Sequence, residues 1–166
     1  MTAPTKATLA QIPNGAAGTR ATLRIMSKIV RHYKRQIPIR ELALSLVRDL
    51  PGHKNWIGQI KRVHAFVRDS IQYVRDVRGV ETVQTPDKTL EYGQGDCDDQ
   101  AVLLASLLES IGHPTRFVAM KGSTFGPFVH VFTETKVGNQ WIPLETTENF
   151  EAGRPMKTAG RMVEHN

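Results

Sequence analysis

The sequence predicts an α+β domain, with N-terminal helices followed by an antiparallel β-sheet packed on the most apolar helix of the chain. Three observations carry that expectation. Apolar residues recur at helical spacing through the first part of the chain. A nearly unbroken apolar run, Ala101-Val102-Leu103-Leu104-Ala105-Ser106-Leu107-Leu108, lies at its centre. After Pro114 the segments become rich in Val, Phe, Ile and Thr, the residues that strands favour. Helices first and strands second is α+β order rather than α/β alternation.

Residues 1–18 hold Pro4, Pro13, Gly15 and Gly18 without periodicity and read as a flexible N-terminal arm. From Thr19, the apolar positions Leu23, Met26, Ile29, Val30 and Tyr33 fall on one helical face. Pro38, a favoured first-turn residue, opens a second helix that runs through Leu42, Leu46 and Val47 until Pro51. Asn55 caps a third, in which Ile57, Ile60, His64, Val67 and Ile71 follow 3.6-residue spacing. The stretch 75–95, with Gly79, Pro86, Gly93 and Gly95, reads as a loop holding one helical turn at 86–91. The apolar run is the next helix, ended by Gly112 and Pro114. Thr115–Lys121, Phe128–Thr135 and Gln140–Glu145 are the expected strands, the last two joined into a hairpin over 136–139. The tail after Phe150, with Gly153, Pro155 and Gly160, lacks a pattern and reads as a surface extension. The economical division is one domain over 19–150, made of a helical lead-in (19–74) and a core (75–150), followed by a C-terminal extension at 151–166.

A chain of 166 residues suits one domain and buries roughly two-thirds of its unfolded surface. No stretch reaches the ~18 apolar residues of a membrane span. The first twenty residues lack the apolar core of a secretory signal. A single cysteine makes neither an internal disulfide nor a multi-cysteine zinc site. Membrane proteins, secreted disulfide scaffolds and zinc ribbons are therefore not expected. The charge is uneven: residues 1–68 carry thirteen Lys and Arg against Glu41 and Asp49, and the remainder has nine bases and fourteen acids. Because the bases are spread along the chain, they read first as solvated faces of amphipathic helices. A nucleic-acid contact through this half is the alternative, without a recognisable motif or much aromatic interleaving to support it.

Chemistry concentrates around Cys97, in Gly93-Gln94-Gly95-Asp96-Cys97-Asp98-Asp99-Gln100, where the apolar helix begins. A thiol in a first helical turn sees the positive end of the dipole and unpaired N–H groups, both of which favour thiolate. The same N–H groups suit an oxyanion. Asp96, Asp98 and Asp99 act the other way on the thiol, so Cys97 needs a closer cationic partner. They lack the loop spacing of an EF-hand, which leaves calcium a weak alternative and no metal or other cofactor expected. Strand parity supplies the partner. With the turn at either Val137-Gly138 or Gly138-Asn139, His130 and Glu145 share one face of the hairpin. A carboxylate beside an imidazole orients it and stabilises its cation. His32, His53, His64, His113 and His165 have no such arrangement and read as structural or solvated.

These residues carry a family resemblance. Gly-x-Gly-Asp-Cys-Asp-Asp opening an apolar helix, then Gly112-His113-Pro114-Thr115-Arg116-Phe117, His130 in a strand and Trp141-Ile142-Pro143-Leu144-Glu145-Thr146-Thr147 resemble the transglutaminase-like core. Tyr73 and Thr85-Pro86-Asp87-Lys88-Thr89-Leu90 are similar to its lead-in, and the match spans about residues 60–147. The segments Gly18–Leu23 and Arg40–Ala43 look like versions from tailed phages and prophages, which implies a host cytoplasm or virion as the location. The resemblance implies a papain-like α+β fold with Cys97 as nucleophile, His130 as base and Glu145 as orienting acid. The family usually has Asp at that last position, so the extra methylene implies a shifted sheet or a looser triad. Gln94 and Tyr73, with Gln84 a distant third, are the side chains to complete an oxyanion site. Trp141 either lines a substrate cleft or braces the hairpin. The implied activity is acyl transfer through a thioester on a protein or peptide substrate. With water as acceptor it is a peptidase or amidase, which the small size favours; with an amine it is a cross-linking transglutaminase. A non-catalytic assembly protein of the same fold is the alternative, and the intact Cys/His/carboxylate set speaks against it.

Overall fold

The computed structural model describes residues 11–52, 54–76 and 82–166. The first ten residues of the expected arm, His53, and Gly79 of the expected loop lie outside the described residues. Five helices come first in the main, and a four-stranded antiparallel sheet follows. No helix among the described residues is long and apolar enough to cross a membrane.

Helix α1 (Gly15–Tyr33) starts four residues before the periodicity becomes readable, and buries Thr22, Leu23, Met26, Ser27 and Val30. Helix α2 (Ile37–Val47) carries Pro38 in its first turn, where a missing N–H costs nothing. Helix α3 (Trp56–Ser70) is capped as expected: Asn55 Oδ1 accepts from the Gly58 amide at 3.0 Å. Its buried face is Ile60, Val63, His64 and Val67. Ile57 instead faces solvent, and Ile71 is a buried residue of extended backbone just past the helix end.

Two-residue strands β1 (Gln72–Tyr73) and β2 (Gln94–Gly95) pair in parallel on either side of α4 (Pro86–Tyr92). They deliver the chain to α5 (Cys97–Ser110), the central element, buried from Asp99 to Leu108. Its Leu103, Leu104, Leu107 and Leu108 pack with Ile39, Ala43, Ile60, Val63 and Val67 of α2 and α3. Its Ala101, Val102 and Ala105 pack with Leu23, Met26 and Val30 of α1 and with Phe117, Ala119 and Val131 of the sheet. A helix covered on both sides has no face to keep polar, which is why its sequence is apolar all round.

The sheet comprises β3 (Thr115–Lys121), β4 (Phe128–Val137), β5 (Gln140–Leu144) and β6 (Gly160–His165), in the order β5-β4-β3-β6. Val137 pairs with Gln140, so the hairpin turn is Gly138-Asn139, with Gly138 at φ +57°. That conformation favours glycine.

Strand β6 corrects the reading of 151–166 as a surface extension: it pairs with β3 from Arg116↔His165 to Lys121↔Gly160. Its pattern was weak because a single inward side chain, Met162, joins the core. On the opposite face Arg161 reaches across β3 to Glu134, which Arg116 also binds, at 2.7 and 2.6 Å. On this same face Val118 and Glu134 are 0% and 3% exposed.

Candidate functional site

The turn into α5 is built around Asp96 and Asp99. Asp96 Oδ1 accepts the amides of Asp98 and Asp99, at 2.9 and 3.1 Å, and Asp99 returns by accepting the Asp96 amide at 3.1 Å. This is a capping box with aspartate in the third position. Asp99 also takes the amide and the side-chain nitrogen of Gln84, at 2.7 and 2.8 Å. Gly95 has to be glycine for this packing, because a Cβ there would lie 2.6 Å from the Asp99 Cβ. Burial, together with each other's charge or that of neighbouring carboxylates, lifts both acids: Asp96 to about 7 and Asp99 to about 6.

Cys97 is the first residue of α5 and is half-buried. Its thiol donates to Asp98 Oδ1 at 3.6 Å and meets the backbone N–H of Val131 in β4. Burial and then the Asp98 charge push the thiol up, and the Val131 N–H opposes them without prevailing. Of the opposing influences legible in the sequence, the one favouring the protonated thiol wins, with burial added to it.

His130 directly precedes Val131 on β4, so the strand segment that touches the sulfur also carries the imidazole. His130 Nε2 is hydrogen-bonded to Glu145 Oε2. Its ring stacks on Phe132, centroids 6.4 Å apart. Glu145 follows the last residue of β5, and its other oxygen accepts the Thr147 amide at 2.7 Å and hydroxyl at 2.8 Å. Burial alone would raise the Glu145 carboxyl, but the bonds and charge of His130 and the two Thr147 bonds bring it below its usual range. Held on both oxygens and 2% exposed, the longer acid is fixed rather than loose.

Two residues outside the expected set hold this arrangement. Thr147 fixes the carboxylate, and His64, buried on α3, bonds the Glu145 backbone carbonyl through Nε2. One turn on, Arg68 donates to the Phe150 carbonyl at 2.9 Å, so α3 anchors the whole segment after β5. The signal for His64 was available: an imidazole within an apolar helical stripe requires a buried partner.

The oxyanion candidates Tyr73 and Gln94 come together on the small β1–β2 ladder, where Tyr73 pairs with Gly95 two residues before Cys97. Both are exposed. Gln84 is instead committed to Asp99, with its Oε1 buried and unpartnered among the described residues. Trp141 is not brought to the site. It sits four residues, about 13 Å of strand, from Glu145, with its ring 4.2 Å from the Arg116 guanidinium and edge-on to His165. His113, at the far end of α5, bonds Gln59 at 2.8 Å. Among the described residues no three His, Cys, Asp or Glu side chains converge as metal ligands would.

A helical lead-in, a buried helix headed by cysteine, and an antiparallel sheet carrying His130 and Glu145 define a transglutaminase-like α+β protein. Residues 44–146 match the core model of the transglutaminase-like superfamily, and the chain belongs to that superfamily. Among solved structures it is similar to a candidate protease of Parabacteroides distasonis (TM-score 0.65, 13% identity, 88% of this chain and 29% of that one). It is also similar to a candidate cysteine protease of Cytophaga hutchinsonii (0.57, 14%, 86% and 52%). LapG of Legionella pneumophila matches at 0.54 and 19% identity, over 78% of this chain and 74% of its own. The chain thus spans about a third and a half of the first two structures. No curated protein matches it by sequence.

Proposed function

We propose that this protein is a cysteine acyl-transfer enzyme, a peptidase or amidase working through a thioester on Cys97 with His130 and Glu145. The observation that carries the reading is the His130–Glu145 hydrogen bond on the strand end that abuts the Cys97 thiol. With Nε2 committed to Glu145, proton exchange falls to Nδ1. In the proposed cycle that nitrogen takes the thiol proton as sulfur attacks the carbonyl, then delivers it to the leaving amine. Water activated by the same imidazole cleaves the thioester and regenerates the thiol. Asp96 engages the amides of Asp98 and Asp99, so the helix-start donor for the oxyanion is the Cys97 amide, with Gln94 or Tyr73 beside it. The protease descriptions of two structural neighbours support water over an amine as acceptor. The phage-like lead-in keeps a virion or an infected cell as the proposed setting.

The test is acylation by p-nitrophenyl acetate, followed by intact mass and peptide mapping. One acyl group should accumulate on Cys97 and be released by water. Cys97→Ala should not be labelled, and His130→Ala should acylate about 10²–10⁴-fold more slowly. Turnover that requires an added primary amine would indicate a transglutaminase. A folded protein that takes no acyl group would indicate the non-catalytic assembly role.

A further inference from the structure

The longest helix carries a feature that the proposed chemistry does not use. No Asp or Glu precedes Glu41, whereas eight Lys and Arg do. On α1, Arg20, Arg24, Lys28 and Arg31 follow one another at spacings of four, four and three residues. At 100° per residue they occupy an arc of about 80°, on a ridge about 16 Å long. The arc is centred about 130° around the helix from the face that buries Leu23, Met26 and Val30, and all four residues are exposed. Bases that are spread along the sequence are thus gathered by the helix into one solvated face, as expected of an amphipathic helix. Some other bases are ion-paired, including Lys34 with Glu109, Arg62 with Asp49 and Arg116 with Glu134, while others such as Arg40 and Lys61 have no ion pair among the described residues. Among the described residues none of the four ridge bases has an ion-pair partner. Like charges at these spacings repel along the helix, and α1 has no acid in its first turn to offset them.

We infer that the outer ridge of α1 binds the phosphate backbone of a nucleic acid, without sequence preference and independently of Cys97. A membrane-surface helix needs a free apolar face beside its basic one, and that face of α1 is already in the core. A protein partner would need an apolar or aromatic centre to bury, yet none of the exposed large apolar side chains belongs to α1. A line of bare cations matches a polyanion of constant linear charge, of which duplex DNA is the densest common case. Half sunk in the protein, α1 lies along the backbone and does not enter a groove, so base readout is not expected.

The experiment is fluorescence anisotropy of the intact chain with a labelled duplex of arbitrary sequence, from 20 to 200 mM NaCl. Four phosphate contacts give a slope of log K against log salt of about −3.6. Arg24→Glu/Lys28→Glu should weaken binding at least tenfold at low salt and flatten the slope, with unchanged circular dichroism and melting. The control, Arg40→Glu/Lys61→Glu, makes the same change in net charge on α2 and α3. Equal loss in the control, no binding of the wild type at 20 mM NaCl, or tighter binding to phosphatidylserine vesicles than to the duplex would overturn the inference. Acylation of Cys97 is measured separately and decides nothing about it.

Discussion

At the head of α5 the peptide dipoles favour a thiolate, while burial and the Asp98 carboxylate favour a thiol. Because the second pair prevails, iodoacetamide should react with Cys97 more slowly than with free cysteine at pH 7, and the rate should still be climbing at pH 9. Asp98→Asn removes the charge and leaves an amide oxygen as a weaker, neutral acceptor for the S–H bond, and should speed alkylation at pH 7 severalfold, read by intact mass. A rate already level between pH 6 and 8 would mean a preformed thiolate–imidazolium pair instead. Glu145→Asp is the second residue-scale prediction. Restoring the family's usual acid shortens a side chain that must reach both His130 and Thr147. Hydrolysis should fall tenfold or more, roughly 1.4 kcal/mol or above in the barrier. Parity along the hairpin made the His130–Glu145 pairing readable, since alternation survives either turn. Thr147 was not readable as a partner, because a loop residue bonding two positions back has no periodic signature.

The first turn of α5 carries two buried carboxyls that burial and neighbouring carboxylates push above their usual range. A carboxyl whose pKa is higher folded than unfolded binds protons more tightly in the folded chain. The stability that Asp96 and Asp99 lend is therefore complete below about pH 4 and is lost as the pH rises through their folded values, about 7 and about 6 respectively. Glu145 has the opposite sign: its contribution disappears only as the pH falls through its lowered pKa. Asp96→Asn keeps the cap, since an amide oxygen accepts the same two N–H groups. It should raise the melting temperature at pH 8 on the order of 5 °C and flatten its dependence between pH 5 and 8; calorimetry across that range checks both. The helices and three strands were legible because each buries a continuous periodic face. Strand β6 was not, because its outward Arg161 is balanced by Glu134 on a strand two positions away in the sheet. Sequence neighbours say nothing of such a partner.

Across the whole molecule, the division into a basic helical half and an acidic sheet half follows the division of labour. The acids that ring Cys97 and tie the sheet together belong to the later part of the chain, as do Glu109 and Glu134, which receive Lys34, Arg116 and Arg161. The helical half keeps its surplus on the surface. Sheet order has a separate outcome. Because β3 lies between β4 and β6, its second edge is covered, among the described residues, by a strand that begins 39 residues after β3 ends. During synthesis, Thr115–Lys121 is exposed as an open template until Gly160–His165 leaves the ribosome. A chain halted at Ala159 should accordingly sediment with the insoluble fraction, and adding a synthetic peptide of residues 160–166 during refolding should return it to the supernatant.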